Sequence, residues 1–210
     1  MKVTRIEEIS KSRVRIWTDE EFAFVLYKGE LRTFHLREDQ EIAPESYETI
    51  MRELLPKRAK LRAMNLLKNR EYTVRQLRDK LEEGGYPQKI TEEALAYVAS
   101  FRYTDDLRYA IAFITNHEST RSRRRIEQDL LGRGIDKHTL EQAWGEWESQ
   151  GGVQDEQAMI RELLRKRHFD PERADWKEKQ KVGGFLLRKG FSGDQVRRAI
   201  LSDDFYGEDI

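Results

Sequence analysis

The chain contains no cysteine, only four histidines and four prolines, and no net charge, its 39 lysines and arginines being matched by 39 aspartates and glutamates. Each shortage excludes something. Without cysteine there is neither a disulfide framework nor a thiolate zinc cluster. His35, His117, His138 and His168 are scattered, with no i, i+4 pair on a helix and no evident carboxylate partner, so no metal site is expected. No Walker-type phosphate loop occurs, and the carboxylate pair Asp105-Asp106 follows Thr104 at a helix start, where acids favour the helix dipole. The expectation is therefore no enzyme, no cofactor and no catalytic residue. No run approaches the roughly 20 apolar residues of a membrane span, and the first residues lack the apolar core of a signal peptide, so no membrane association and a cytoplasmic location are expected. A hydrophobic fraction of 38% against a charged fraction of 37% suits an elongated, surface-rich molecule.

What is present is a repeat. Leu77 to Leu95, Ile126 to Trp144 and Val182 to Ile200 align on a glycine. The alignment superposes Leu77, Ile126 and Val182, then Leu81, Leu130 and Leu186, then Gly85, Gly134 and Gly190, and then Tyr86, Ile135 and Phe191. An alanine (Ala94, Ala143, Ala199) and a large apolar residue (Leu95, Trp144, Ile200) close each copy. Copies roughly 50 residues apart lie near the upper end of helical-repeat lengths. Apolar residues four apart, then glycine and another apolar residue, describe a helix ending in a left-handed turn that only glycine adopts freely. A new helix start follows each time: Pro87 at a first helical position, Asp136 as N-cap, and Ser192 with Gln195 as a capping box. Thr73 with Gln76 and Asp175 with Glu178 have similar spacing and open the middle helices.

One more amphipathic segment precedes each copy, over about Ala59 to Asn69, Asp106 to His117 and Asp155 to His168. The unit is thus three helices, and nine helices in three bundles are expected. The first fifty-five residues are instead rich in β-branched and aromatic residues, over Arg13 to Asp19 and Glu21 to Glu30, with Met1 to Ile9 and Leu31 to Leu36 as flanking strands. A small antiparallel sheet of three or four strands and a helix over Glu45 to Leu55 follow from this pattern, with Pro56 as the break before the array. The fold class is mainly α: three tandem three-helix repeats (56–104, 105–150 and 151–210, the last with an acidic tail) behind a β-rich extension (1–55). Trp144 belongs to the core by its repeat position, Phe101 and Tyr103 read as a seal at the end of the first repeat, and Gly183-Gly184 reads as a site of close helix packing.

The balanced charge is unevenly placed. Lys57, Arg58, Lys60 and Arg62 lie in one run, Arg121, Arg123, Arg124 and Arg125 in a second, and Arg165, Lys166 and Arg167 in a third, with Lys189, Arg197 and Arg198 further along the last repeat. Such clusters pair with phosphates or acidic protein surface, or simply form solvated helix faces. Ser122 caps a helix whose first turn is Arg123-Arg124-Arg125, although cations there oppose the macrodipole by about 0.3–1 kcal/mol. A placement that costs stability points to use.

The stretches Phe101 to Ile114, Arg121 to Ile135 and Phe185 to Ile200 resemble the RecX regulatory proteins of bacteria, a resemblance that covers about Ala59 to Leu201. It implies three tandem three-helix repeats in a curved array. It also implies binding to RecA recombinase filaments on single-stranded DNA, limiting their growth, ATP hydrolysis and strand exchange in recombination, DNA repair and the SOS response. A monomer with weak DNA affinity is expected. The cations named above are the candidate contacts, chosen from charge and placement. Gly132 departs from the polar or basic residue expected before Arg133. Two other readings stay open: a helix-turn-helix DNA-binding module, against which zero net charge argues, and a helical scaffold for another protein. The extension either widens the contact surface, binds a separate partner or caps the array.

Overall fold

The structure is a computed structural model that describes residues 1–201; the acidic stretch from Asp203 onward lies outside the described residues. The chain divides into two compact units, Met1–Asp105 and the residues from Asp106 onward.

In the first unit β1 (Val3–Glu8), β2 (Arg13–Thr18) and β3 (Glu21–Tyr27) form an antiparallel meander in chain order. Alternation along β2 turns Val14 and Ile16 inward, where they meet Phe24 and Leu26 of β3, all essentially without exposure. Both edges are occupied. Val3 exchanges backbone hydrogen bonds with Gln40 and Asp39 (both 2.9 Å), and the Val25 amide donates to the Gly85 carbonyl (3.2 Å).

No fourth strand forms over Leu31 to Leu36. That segment begins as helix α1 (Lys28–Thr33), whose Glu30 carboxylate accepts from the Tyr27 amide (2.7 Å). A helix brings Leu31 and Phe34 to one side, where both pack on the core, whereas strand alternation would split them between faces. The Leu36 amide then bonds to the Leu31 carbonyl (2.9 Å), and Leu36 is buried.

Nor does Pro56 break the chain. Helix α2 (Pro44–Thr49) runs through one wide π turn (Ile50–Leu54) into α3 (Leu55–Asn69). A prolyl ring collides with the carbonyl four residues back and has no amide to offer; the widened turn, in which the Leu55 amide reaches the Ile50 carbonyl, accommodates it. One apolar cluster runs from Val3 through Ile50 to Val98, so extension and first repeat share a core.

The first bundle is α3, α4 (Val74–Glu82) and α5 (Gln88–Ser100); the second is α6 (Asp106–His117), α7 (Arg123–Gly132) and α8 (Lys137–Ser149); the third is α9 (Glu156–Lys166), α10 (Trp176–Arg188) and α11 (Gly193–Leu201). Most repeat anchors are buried, Tyr86, Gly134, Gly190 and Ala199 being half-buried, and each of the last two bundles has its own apolar cluster. Trp147 is as buried as Trp144, and their rings meet edge to face at 5.4 Å. Phe101 and Tyr103, at the end of the first unit, are exposed within it and stack on each other at 5.7 Å.

All three turn glycines are left-handed, with φ of 84° at Gly85, 91° at Gly134 and 93° at Gly190. The following residue donates back across each turn, Tyr86 to Leu81, Ile135 to Leu130 and Phe191 to Leu186, at 3.1–3.3 Å. This capture of an otherwise orphaned carbonyl is what ends each helix and folds the next apolar residue onto it. The same turn recurs without glycine at His35, Arg102 and His168. The caps at Thr73, Asp136, Asp175 and Ser192 form as the spacing predicts, while Pro87 stands one residue earlier, as the N-cap itself. Gly183 does permit close packing: a β-carbon there would lie 3.2 Å from Ile200 of α11.

Gly190 and Gly132 should therefore respond oppositely to alanine. A β-carbon at Gly190 would sit 2.5 Å from the Ser122 hydroxyl on a left-handed backbone, whereas Gly132 is helical with nothing within 4 Å. Thermal unfolding followed by circular dichroism should show Gly190→Ala destabilised by about 2–4 kcal/mol and Gly132→Ala stabilised by about 0.5–1 kcal/mol.

Candidate partner and nucleic-acid interface

The first turn of α7 is tied to the last repeat by its own cap. The buried Ser122 hydroxyl accepts from the Arg125 amide (3.3 Å) and donates to the Lys189 carbonyl (2.9 Å), beside the Gly190 turn. Gln154 adds bonds to the Glu118 and Arg121 carbonyls (2.9 and 2.7 Å), and the Glu156 carboxylate accepts from the Arg123 amide (2.6 Å) and from Gln195 (2.6 Å). Second and third repeats are thus joined by polar contacts, most of them half-buried, around one helix start.

Helical geometry divides the arginine run. Arg125 and Asp129 are four apart on α7 and share a face, and Arg121, just before the helix cap, reaches the same carboxylate. Arg121 and Arg125 both pair with Asp129 (2.7 and 3.2 Å) and line a cleft of about 690 Å³. Arg133, Arg188 and Lys189 complete its basic wall, Leu163, Phe185 and Phe191 its apolar floor, and Asp129 is its one acidic lining residue. Arg133 donates to the Tyr109 hydroxyl (2.8 Å) and lies over the Phe113 ring. The Arg125 guanidinium is half exposed and shares Asp129 with Arg121, so an incoming anion can compete for it.

Arg123 faces elsewhere, over the Trp144 ring at 4.3 Å, with its guanidinium on Glu127 and Glu148 (3.2 and 2.8 Å). Arg124 is exposed and has no ion pair among the described residues. In the third repeat Glu162 holds both Arg165 (2.7 Å) and Lys166 (3.3 Å), while Arg167 lies over the Phe185 ring at 3.7 Å. Lys189 approaches the same ring at 5.7 Å. Arg197 and Arg198 are exposed on α11.

The first-repeat run is divided as well. Lys57 is exposed, Lys60 lies over the Tyr97 ring at 5.2 Å, and Arg58 is bonded to Glu30 above the Tyr27 ring. Arg58 and Arg62 line a second cleft, of about 530 Å³, together with Arg13 of β2 and Lys80 of α4. Arg13, Lys80, Arg133 and Arg188 escape a search for charge runs. Arg133 and Lys189 share a repeat position, immediately before the turn glycine, which an alignment of the copies would expose. Arg13 and Lys80 carry no local signal, because tertiary packing alone brings them together.

Among the described residues no three histidine, aspartate or glutamate side chains gather as a metal site, and no helix is long and apolar enough to cross a membrane. The fold and the sequence find their counterpart in known proteins. Family models for the first, second and third three-helix domains of RecX match residues 59–97, 105–143 and 154–200. The chain belongs to the RecX family. It is 30% identical to the regulatory protein RecX of Caldanaerobacter subterraneus subsp. tengcongensis, over 95% of this chain and 98% of that one. The RecX of Clostridioides difficile is 27% identical over 94% and 93%. A crystal structure of a regulatory protein RecX shares the fold with a TM-score of 0.60 at 24% identity, covering 95% of this chain and 98% of that one. RecX from Lactobacillus salivarius does so at 0.55 and 21%, over 70% and 94%. The RecX family is one of regulatory proteins, and a regulatory role follows for this member.

Two predictions come from the divided clusters. Arg123→Ala should cost about 1 kcal/mol of stability in chemical denaturation, and Arg124→Ala less than about 0.5 kcal/mol; equal effects would mean that the Trp144 contact is idle. The hydrogen bond from Arg165, helped by Lys166, pushes the Glu162 carboxyl from 4.5 down to about 2. Its contribution is thus complete above pH 4.5 and lost as pH falls through about 2. Carboxyl titration by NMR should return Glu162 toward its ordinary value in Arg165→Ala.

Proposed function

We propose that this chain binds RecA recombinase filaments assembled on single-stranded DNA, lies in their groove, and limits their extension, ATP hydrolysis and strand exchange. The observation that carries this reading is the cleft between second and third repeats, where Arg121, Arg125, Arg133, Arg188 and Lys189 face a single carboxylate. Arginine forks bind carboxylates and phosphates bidentately, so such a wall suits acidic recombinase surface and DNA backbone alike. Arg124, Arg165, Lys166, Arg197 and Arg198 are further exposed candidate contacts in the second unit, and Lys57 is one in the first. A protein wedged against neighbouring filament subunits opposes the movements that turnover requires. A helix-turn-helix reading fits less well. The second helix of such a motif meets DNA with its N-terminal end, and here α8 opens on Asp136 and α11 carries Asp194 in its first turn.

The test is RecA ATPase on single-stranded DNA with this protein titrated in. Wild type should inhibit at micromolar concentration. The pair Arg188→Glu with Lys189→Glu should raise the half-inhibitory concentration by about tenfold or more while leaving the circular dichroism spectrum unchanged. Undiminished inhibition by that variant would remove the cleft from the interface, and no inhibition by wild type would end the proposal.

A further inference from the structure

The second basic cleft lies within the first unit, between the sheet and the first bundle, and nothing above requires it. Its position follows from the fold. The Val25 to Gly85 hydrogen bond holds the β3 edge against the α4 turn, which sets Arg13 and Tyr27 of the sheet opposite Arg62, Lys80 and Tyr86. A β-carbon at Gly85 would meet the Val25 side chain at 2.1 Å, so only glycine fits at this junction.

Charge within the cleft is not balanced. Arg58 is neutralised by Glu30 and Lys80 by Glu83 (2.6 Å), but Arg13 and Arg62 are exposed and have no ion pair among the described residues. The excess is two positive charges. The half-buried Tyr86 hydroxyl also lacks a hydrogen-bond partner among the described residues. Burial pushes this phenol above its ordinary value, against the opposing pull of Arg58, Arg62 and Arg13, so it is a neutral donor at physiological pH. Two free guanidinium forks and one free hydroxyl thus line the same space.

We propose that this cleft is a binding site for the dianionic terminal phosphate of a nucleotide. A phosphomonoester carries about −1.5 to −2 charges at neutral pH and accepts several hydrogen bonds, which matches both the excess charge and the donor set. A carboxylate would satisfy half of that charge. At about 530 Å³ the cleft exceeds a phosphate group and falls in the range of small-molecule sites, and the Tyr27 and Tyr86 rings offer apolar surface to a base. The terminal phosphate belongs either to a free mononucleotide or to the phosphorylated 5′ end of a strand. The site needs no recombinase, so its test is independent of the filament reading.

Full-length protein is titrated, without recombinase, with deoxyadenosine monophosphate and with a short oligothymidylate bearing either a 5′ phosphate or a 5′ hydroxyl, binding being followed by calorimetry. The 5′-phosphorylated strand should bind at least about tenfold more tightly than its hydroxyl counterpart. Binding of the mononucleotide as well assigns the site to free nucleotides; binding of the strand alone assigns it to strand ends. Arg62→Ala should weaken phosphate-dependent binding by about tenfold and Tyr86→Phe by about threefold, with unfolding midpoints unchanged for Arg62→Ala. Equal affinity for the two strands with no mononucleotide binding would reduce the cleft to a general polyelectrolyte surface and overturn the proposal. So would unaltered affinity in both variants, or a phosphotyrosine peptide binding as tightly as the nucleotide.

Discussion

A left-handed residue at the end of a helix is the constraint on which the rest of this molecule depends. The last carbonyls of a helix have no intrahelical donors, and in each repeat one of them is captured by the amide beyond the turn glycine. That single geometry stops the helix, swings Tyr86, Ile135 or Phe191 back onto it, and starts the next helix in the direction that closes the bundle. Because glycine carries no side chain, the turn is also the smallest surface of each repeat. The first repeat uses it to receive the sheet at Val25, and the third uses it to receive the Ser122 cap of α7. One local rule is reused as a docking rule.

The two clefts are consequences of those contacts. Where a turn glycine meets a neighbouring element, a cation lies within one helical turn of it: Lys189 next to Gly190, and Lys80 one turn before Gly84-Gly85. Carboxylates are largely engaged elsewhere, Glu148 with Arg123, Glu92 with Arg78, and Glu162 with Arg165 and Lys166. A chain without net charge thereby acquires local walls of positive charge. Aromatic faces keep several of these cations extended, as Phe185 does for Arg167 and Tyr27 for Arg58.

The repeat was legible because its signal is local and periodic. Leu81 and Gly85, or Leu186 and Gly190, lie within a few residues of one another, and their spacing alone specifies a helix and its end. The same holds for the caps at Thr73, Asp136 and Ser192. Elements whose fate depends on distant partners were less legible. Leu31 to Leu36 has apolar content suited to a strand, but both sheet edges are occupied and its leucines reach the core from a helix. Pro56 reads as a break, yet a π turn upstream absorbs it, and that adjustment leaves no mark in the residues themselves. The arginine run 121–125 reads as one cluster, and the 100° step of α7 sends Arg123, Arg124 and Arg125 to different surfaces.

The sequence by itself determined the nine repeat helices, the glycine ends of the three middle ones, most of their caps and the residues of their cores, because each rests on interactions between residues close along the chain. Tertiary structure alone decided which cations share a cleft and which are spent on internal partners. Arg13 and Arg62 are 49 positions apart, and Arg121 and Arg188 are farther still, so only the packing of sheet on bundle and of bundle on bundle brings their charges within reach of one ligand.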